Sequence, residues 1–190
     1  MNAQQMRKGE ATIVNGVDVT ALGETLDAIK QEPKLGAFQF RASNTWLGGG
    51  LNRSTLNGFY GAGQEQIREK PFSFNADEPP VLLGSDRGAN PVEFVLHALA
   101  ACLTTTMVYH AASRGIVVKA ASSELEGDID IRGFTGLSSE VRKGYHHVRV
   151  KLRVQSDAPA EQLAELAKFS PVYDIVSNSL PVEVTVETHR

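Results

Sequence analysis

A chain of 190 residues with 42% hydrophobic and 22% charged side chains has the size and make-up of one globular domain with a sizeable core. A formal net charge of −3 leaves no basic footprint for nucleic acid and no polybasic patch for a membrane surface. No uninterrupted apolar run is long enough to span a bilayer, and the opening MNAQQMRKGEATIV lacks the apolar stretch of a signal peptide. A cytoplasmic location is therefore the expectation. The one cysteine, Cys102, excludes an intrachain disulfide and a cysteine-based zinc site within one chain.

In chain order, Thr12-Ile13-Val14 and Val17-Asp18-Val19 flank Asn15-Gly16, the dipeptide of a type I′ hairpin turn. Thr20 is expected to cap a helix over Ala21 to Lys30 that stops before Pro33. Ala37 to Phe74 reads as β-rich. Phe38, Phe40 and Ala42 alternate with polar residues, and Leu56 to Tyr60 and Pro71 to Phe74 are candidate strands. Gly48-Gly49-Gly50 lacks the lysine of a P-loop and the spacing of a dinucleotide fingerprint, so it is expected to be a turn. Asp77 to Ala89, rich in Pro, Gly and Asp, is a loop.

Asn90-Pro91-Val92-Glu93 then starts a helix, with Asn90 as cap, Pro91 at the first helical position and Glu93 completing a capping box. The helix runs to about Arg114, ends at Gly115, and is apolar almost all round, which predicts burial in a core. Cys102 shares one face with Ala98, Thr106, Tyr109 and Ser113. Glu93, nine residues earlier, lies on the opposite side. His97 and His110 read as ordinary helix histidines, with no second ligand at metal spacing.

Beyond the helix, Leu125, Gly127, Ile129 and Ile131 alternate with polar and charged residues, as do Val148, Val150, Leu152 and Val154. Both patterns predict half-buried antiparallel strands. Asp157 is expected to cap a helix from Ala158 to about Lys168. Ser170-Pro171 starts another, and Val182, Val184 and Val186 form a last strand. Strands, helix, strands, helix and strand in that order are an α+β arrangement rather than an alternating βαβ one.

The stretch NPVEFVLHALAACLTTT resembles the helix that carries the peroxidatic cysteine in the OsmC/Ohr family. The preceding DEPPVLLGSDRGANP, together with AASRGI, GDIDIRGF and KFSPVYDIVSNSLPVEVTV, resembles one OsmC-like branch of it. The likeness covers roughly Phe38 to Glu187, leaving residues 1–36 as an N-terminal extension of hairpin and helix before an OsmC-like domain at 37–190. It implies an intertwined homodimer, with antiparallel sheets wrapped around two central helices and active sites at the subunit interface. It also implies reduction of organic hydroperoxides by a cysteine thiolate, held by an arginine and a glutamate and resolved by a second cysteine. No cofactor or metal is implied.

Residue by residue, Cys102 matches the peroxidatic cysteine, and the second cysteine's place is taken by Ser170, which can form no disulfide. The family glutamate's position holds Val92, with Glu93 one residue later. Arg53, after Gly49-Gly50-Leu51-Asn52, is the candidate arginine. Thr106, Tyr109 and Ser170 are the candidate substrate-binding residues. An unperturbed thiol is mostly protonated at neutral pH, so a cation must reach Cys102 for the chemistry to run. The leading expectation is a one-cysteine peroxidase acting on an apolar hydroperoxide and recycled by an external thiol. The alternatives are a non-catalytic dimer that binds an apolar small molecule beside a buried thiol, and a purely structural dimeric stress protein.

Overall fold

The computed structural model describes residues 11–178 and 180–188. The first ten residues, which belong to the expected extension and to the segment compared with a signal peptide, lie outside the described residues. The chain divides into two compact units, residues 1–97 and 98–190, the division falling inside the long central helix.

The first unit opens on the hairpin expected from its turn. Strands β1 (Ile13–Val14) and β2 (Val17–Asp18) pair antiparallel across Asn15-Gly16, and both turn residues have the positive φ that a type I′ turn needs. Helix α1 (Val19–Gln31) begins earlier than expected. Its cap is Asp18, whose Oδ1 accepts from the Ala21 N–H at 3.0 Å, and not Thr20. The Thr20 hydroxyl oxygen instead accepts from the Thr12 N–H, tying the hairpin back to the helix start. A 3-10 turn follows at Pro33–Gly36.

Strands β3 (Ser43–Gly48), β4 (Leu51–Leu56) and β7 (Phe72–Ala76) form an antiparallel sheet in the order β3-β4-β7. The triple glycine is the β3–β4 turn, as expected. Between β4 and β7 lies a small hairpin of β5 (Phe59–Gly61) and β6 (Gln64–Gln66). The expected strand over Leu56 to Tyr60 is thus two strands, broken at Asn57-Gly58. The alternation of Phe38 to Ala42 makes only one bridge, Gln39 to Tyr60. Its rings stack on each other instead: Phe38 and Phe40 lie 6.0 Å apart, and each is close to Phe59. Period-two patterning there reports ring packing rather than a ladder.

Helix α2 (Pro91–Ala112) starts on a capping box. The Asn90 side-chain oxygen accepts from the Val92 N–H at 3.0 Å, and Glu93 Oε2 accepts from the Asn90 N–H at 2.8 Å. It ends as the sequence predicts, with Gly115 at φ +70°, a conformation costly for any residue with a Cβ. By length and hydropathy alone α2 would pass for a membrane span. Its buried residues are Leu99, Leu103, Met107, Ala111 and Ala112.

In the second unit, strands β8 (Val118–Asp128) and β9 (His147–Ser156) form a long antiparallel ribbon. Helices α3 (Ile131–Phe134), α4 (Ala160–Ala167) and α5 (Pro171–Ser177) complete it. Leu99, Leu103, Met107 and Ala111, a stripe at spacing four on α2, pack with Leu163, Leu166 and Ala167 of α4. Ala121, Leu125, Val148, Leu152 and Val154 close the cluster from the ribbon. The outer side carries ion pairs from Arg149 to Glu126 and Asp128 and from Arg153 to Glu124, all exposed and worth little in water. The burial of α2 is therefore narrower than its all-round apolarity predicts, because α4 and the ribbon cover one stripe.

Three local expectations fail here for identifiable reasons. Ile129 and Ile131 do not extend β8. The Asp130 carboxylate accepts from the Arg132 N–H and from its guanidinium, turning the chain into α3. The same Arg132 contacts hold the Asp130 carboxyl down to about 2. Asp157 does not cap α4. Ser156 Oγ accepts from the Ala158 N–H, and the helix begins after Pro159 with no side-chain cap. Val182, Val184 and Val186 form no ladder among the described residues and are about four-fifths exposed, at 77–78%. Alternation makes a strand only where an edge is at hand to pair with.

Together these elements form a mixed α+β fold with antiparallel sheets, as the sequence predicts.

Candidate functional site

The six residues singled out from sequence fall into two groups, each described within its own unit. Arg53 and Glu93 belong to the first unit, and Cys102, Thr106, Tyr109 and Ser170 to the second.

Cys102 is half-buried on α2, about 100° round the helix from the core residue Leu103. Its Sγ lies 4.0 Å from the Thr106 hydroxyl, the neighbour one turn on. The predicted polar face is thus real at its centre: thiol and hydroxyl are adjacent, and Thr106 is itself half-buried. Tyr109 continues that face and is 48% exposed. His110 stacks on Phe169 with ring centroids 4.5 Å apart, and its Nδ1 is 3.1 Å from Arg114. Burial and, after it, the Arg114 charge lower its pKa, which favours the neutral imidazole. It is a packed helix histidine, as expected.

Ser170 is 1% exposed and caps α5, its Oγ accepting from the Tyr173 N–H at 3.1 Å. That contact gives the residue at the second family position a structural task. Glu93 is likewise engaged by the capping box that starts α2.

Arg53 sits in mid-strand on β4, opposite Thr45 of β3 and Asn75 of β7. Its Nε donates to Asn75 Oδ1 at 2.9 Å. By the pairing register, Ser43, Thr45, Arg53, Thr55, Ser73 and Asn75 share one sheet face, with a single cation among them.

Sequence reasoning missed Asp77. It is 1% exposed, and its carboxylate accepts from the backbone N–H groups of Glu78 at 2.8 Å and of Ser85 and Arg87 at 3.2 Å each. Burial pushes its pKa up. The three backbone donors and the Arg87 charge outweigh that and leave it lowered. One side chain thereby ties both ends of the loop between β7 and α2. Nothing in DEPPVLLGSDRGANP marks the first acid as the buried one, because its donors are backbone groups eight and ten residues away.

The family model for OsmC-like proteins matches residues 84–187, from this loop through α2 and the ribbon to the last valines. Among solved structures, an OsmC-like protein from Mycoplasma pneumoniae superposes with a TM-score of 0.54 at 14% identity, over 74% of this chain and 89% of that one. An OsmC-like protein of unknown function from Vibrio cholerae O1 biovar eltor gives 0.53 at 13% identity, over 76% and 95%. Likeness at that identity speaks for the fold alone. No curated protein matches the chain. With the cysteine helix, its capped start and the following ribbon all inside the matched span, the chain belongs to the OsmC-like family.

Proposed function

We propose that the protein is a one-cysteine reductase of organic hydroperoxides, working as a cytoplasmic homodimer. The observation that carries this reading is the half-buried thiol of Cys102 beside the Thr106 hydroxyl, on the helix face left open by the core stripe. A thiol reserved for packing belongs with Leu99, Leu103 and Met107, and Cys102 is not among them.

In the first step the thiolate sulfur attacks a peroxide oxygen. An S–O bond forms, the O–O bond breaks, and the alcohol leaves with a proton. The cysteine is oxidised to a sulfenic acid and the peroxide reduced. A low-molecular-mass thiol then attacks that sulfur, releasing water and leaving a mixed disulfide. A second thiol restores Cys102 and departs as the oxidised disulfide. The external thiol is needed because Cys102 is the one cysteine of the chain and Ser170 occupies the second family position. Arg53 is proposed as the cation and Glu93 as the acid by their match to the family's pair, with Thr106 and Tyr109 lining the substrate side. Residues 1–36 are proposed as an extension to an OsmC-like domain at 37–190. The exposed Val182, Val184 and Val186 support a second copy as partner.

Cumene hydroperoxide with excess dithiothreitol tests the reading, on protein whose mass is first fixed by sedimentation. The expected result is a dimer that consumes peroxide, with consumption lost in Cys102→Ser. Equal consumption by that variant would overturn the peroxidase and leave the ligand-binding dimer.

A further inference from the structure

The first unit holds an open cavity of about 530 Å³ at the β7 edge of its sheet. Arg53 reaches it from β4, Ser73 and Asn75 from β7, and Arg87 from the loop tied by Asp77. Phe74 and Phe94, packed edge to face with centroids 6.3 Å apart, supply the apolar wall.

Both arginines stand on fixed backbone, and the Arg53 guanidinium is itself held. Arg53 is in mid-strand, and its Nε bond to Asn75 aims the rest of the fork away from that amide. Arg87 is fixed through its backbone. Its N–H is bound by buried Asp77, Ala89 bridges to Ala76, and Gly88 lies so close to β7 that a Cβ there would come within 2.3 Å of the Asn75 carbonyl oxygen. Only glycine permits that approach.

The lining has two cations and no carboxylate. Among the described residues neither guanidinium forms an ion pair, and the nearby Asp77 carboxylate is buried and taken up by three backbone donors. Two like charges facing one cavity repel each other unless an anion comes between them, and such a cleft focuses a positive potential. The remaining polar groups are donors as well. With its oxygen accepting from Arg53, Asn75 presents its NH2, and Ser73 adds a hydroxyl. Guanidinium forks match oxyanions in particular.

We propose that this cavity binds an oxyanion, a carboxylate or a phosphate, carried on an apolar body that rests on Phe74 and Phe94. The cavity shares Arg53 with the proposed peroxidase, but its test reads binding and does not use the thiol of Cys102, and Arg87→Gln probes it at a residue outside the peroxidase, so failure of either reading can be told from failure of the other.

The test is a calorimetric titration of the full chain with phenyl phosphate, benzoate, inorganic phosphate and benzyl alcohol. At least one aromatic anion should bind about tenfold or more tightly than the neutral alcohol, with inorganic phosphate weaker than phenyl phosphate for want of the apolar wall. The tighter of phenyl phosphate and benzoate identifies the headgroup. Arg53→Gln and Arg87→Gln should each weaken anion binding by about tenfold or more. If either variant loses its circular-dichroism spectrum, salt decides on the native protein. Raising NaCl from about 0.05 to about 0.5 M should weaken the anion severalfold and spare the alcohol. Anions bound no better than benzyl alcohol, undiminished binding in the folded Arg53→Gln and Arg87→Gln variants, or no dependence on salt would each overturn the proposal.

Discussion

Among the described residues, the largest fully buried side chain in 98–190 is Met107 and in 1–97 it is Asp77. The first sits in a cluster of leucines and alanines from two helices, closed by an alternating ribbon. The second sits among backbone N–H groups of a loop that has no other regular element than a 3-10 turn at Pro80–Leu82. One region excludes water by apolar packing, the other by satisfying a charge. Packing of the first kind degrades gradually as volume is lost. A carboxylate with three fixed donors loses its basis when it is protonated or replaced.

The comparison is broken most strongly at Met107. Met107→Ala leaves a cavity between α2 and α4 and should cost about 2–5 kcal/mol. Urea unfolding followed by circular dichroism measures it. A loss well under 1 kcal/mol would mean that the helix pair collapses into the space and the cluster is not what holds residues 98–190 together.

The next effect is a matter of pH. The folded Asp77 carboxyl is lowered below its unfolded value, so its contribution to stability is complete above the ordinary carboxylate range. It is lost as pH falls below about 4 and passes through the folded value. Asp77→Asn should lower the melting temperature near neutral pH and flatten its decline in acid. An acid decline as steep as the native one would show that the loop does not depend on this charge.

Ser170→Ala is the smallest of the three. Removing the cap of α5 should cost about 1 kcal/mol, because the Tyr173 N–H loses its acceptor. It also sharpens the functional reading, since a serine kept for capping explains its place at Pro171 without a part in peroxide chemistry. No change in stability would return Ser170 to the list of substrate contacts.

The comparisons with known proteins follow the same division. The matched span begins at Gly84 and takes in all of residues 98–187, where apolar periodicity and caps write the fold locally. Asn90, Pro91, Glu93 and Gly115 place the ends of α2 within a residue or two. Ser170 and Pro171 place the start of α5. Thr20 misleads because its neighbour Asp18 holds the better-placed oxygen, a competition between adjacent caps that residue type alone does not rank. Asp157 misleads because α4 begins only after Pro159, beyond its reach, with no side-chain cap.

What the sequence determined by itself was the α+β order, the limits of the long helix, the family, and the singular thiol with Thr106 one turn away. All rest on spacing along one element, where helix and strand geometry are known in advance. What only the tertiary structure decided was the register that sets Arg53 across from Asn75, the burial of Asp77, and the arrival of Arg87 beside them. Those depend on strand pairing and on a loop closing over many residues, and short-range pattern carries no record of either.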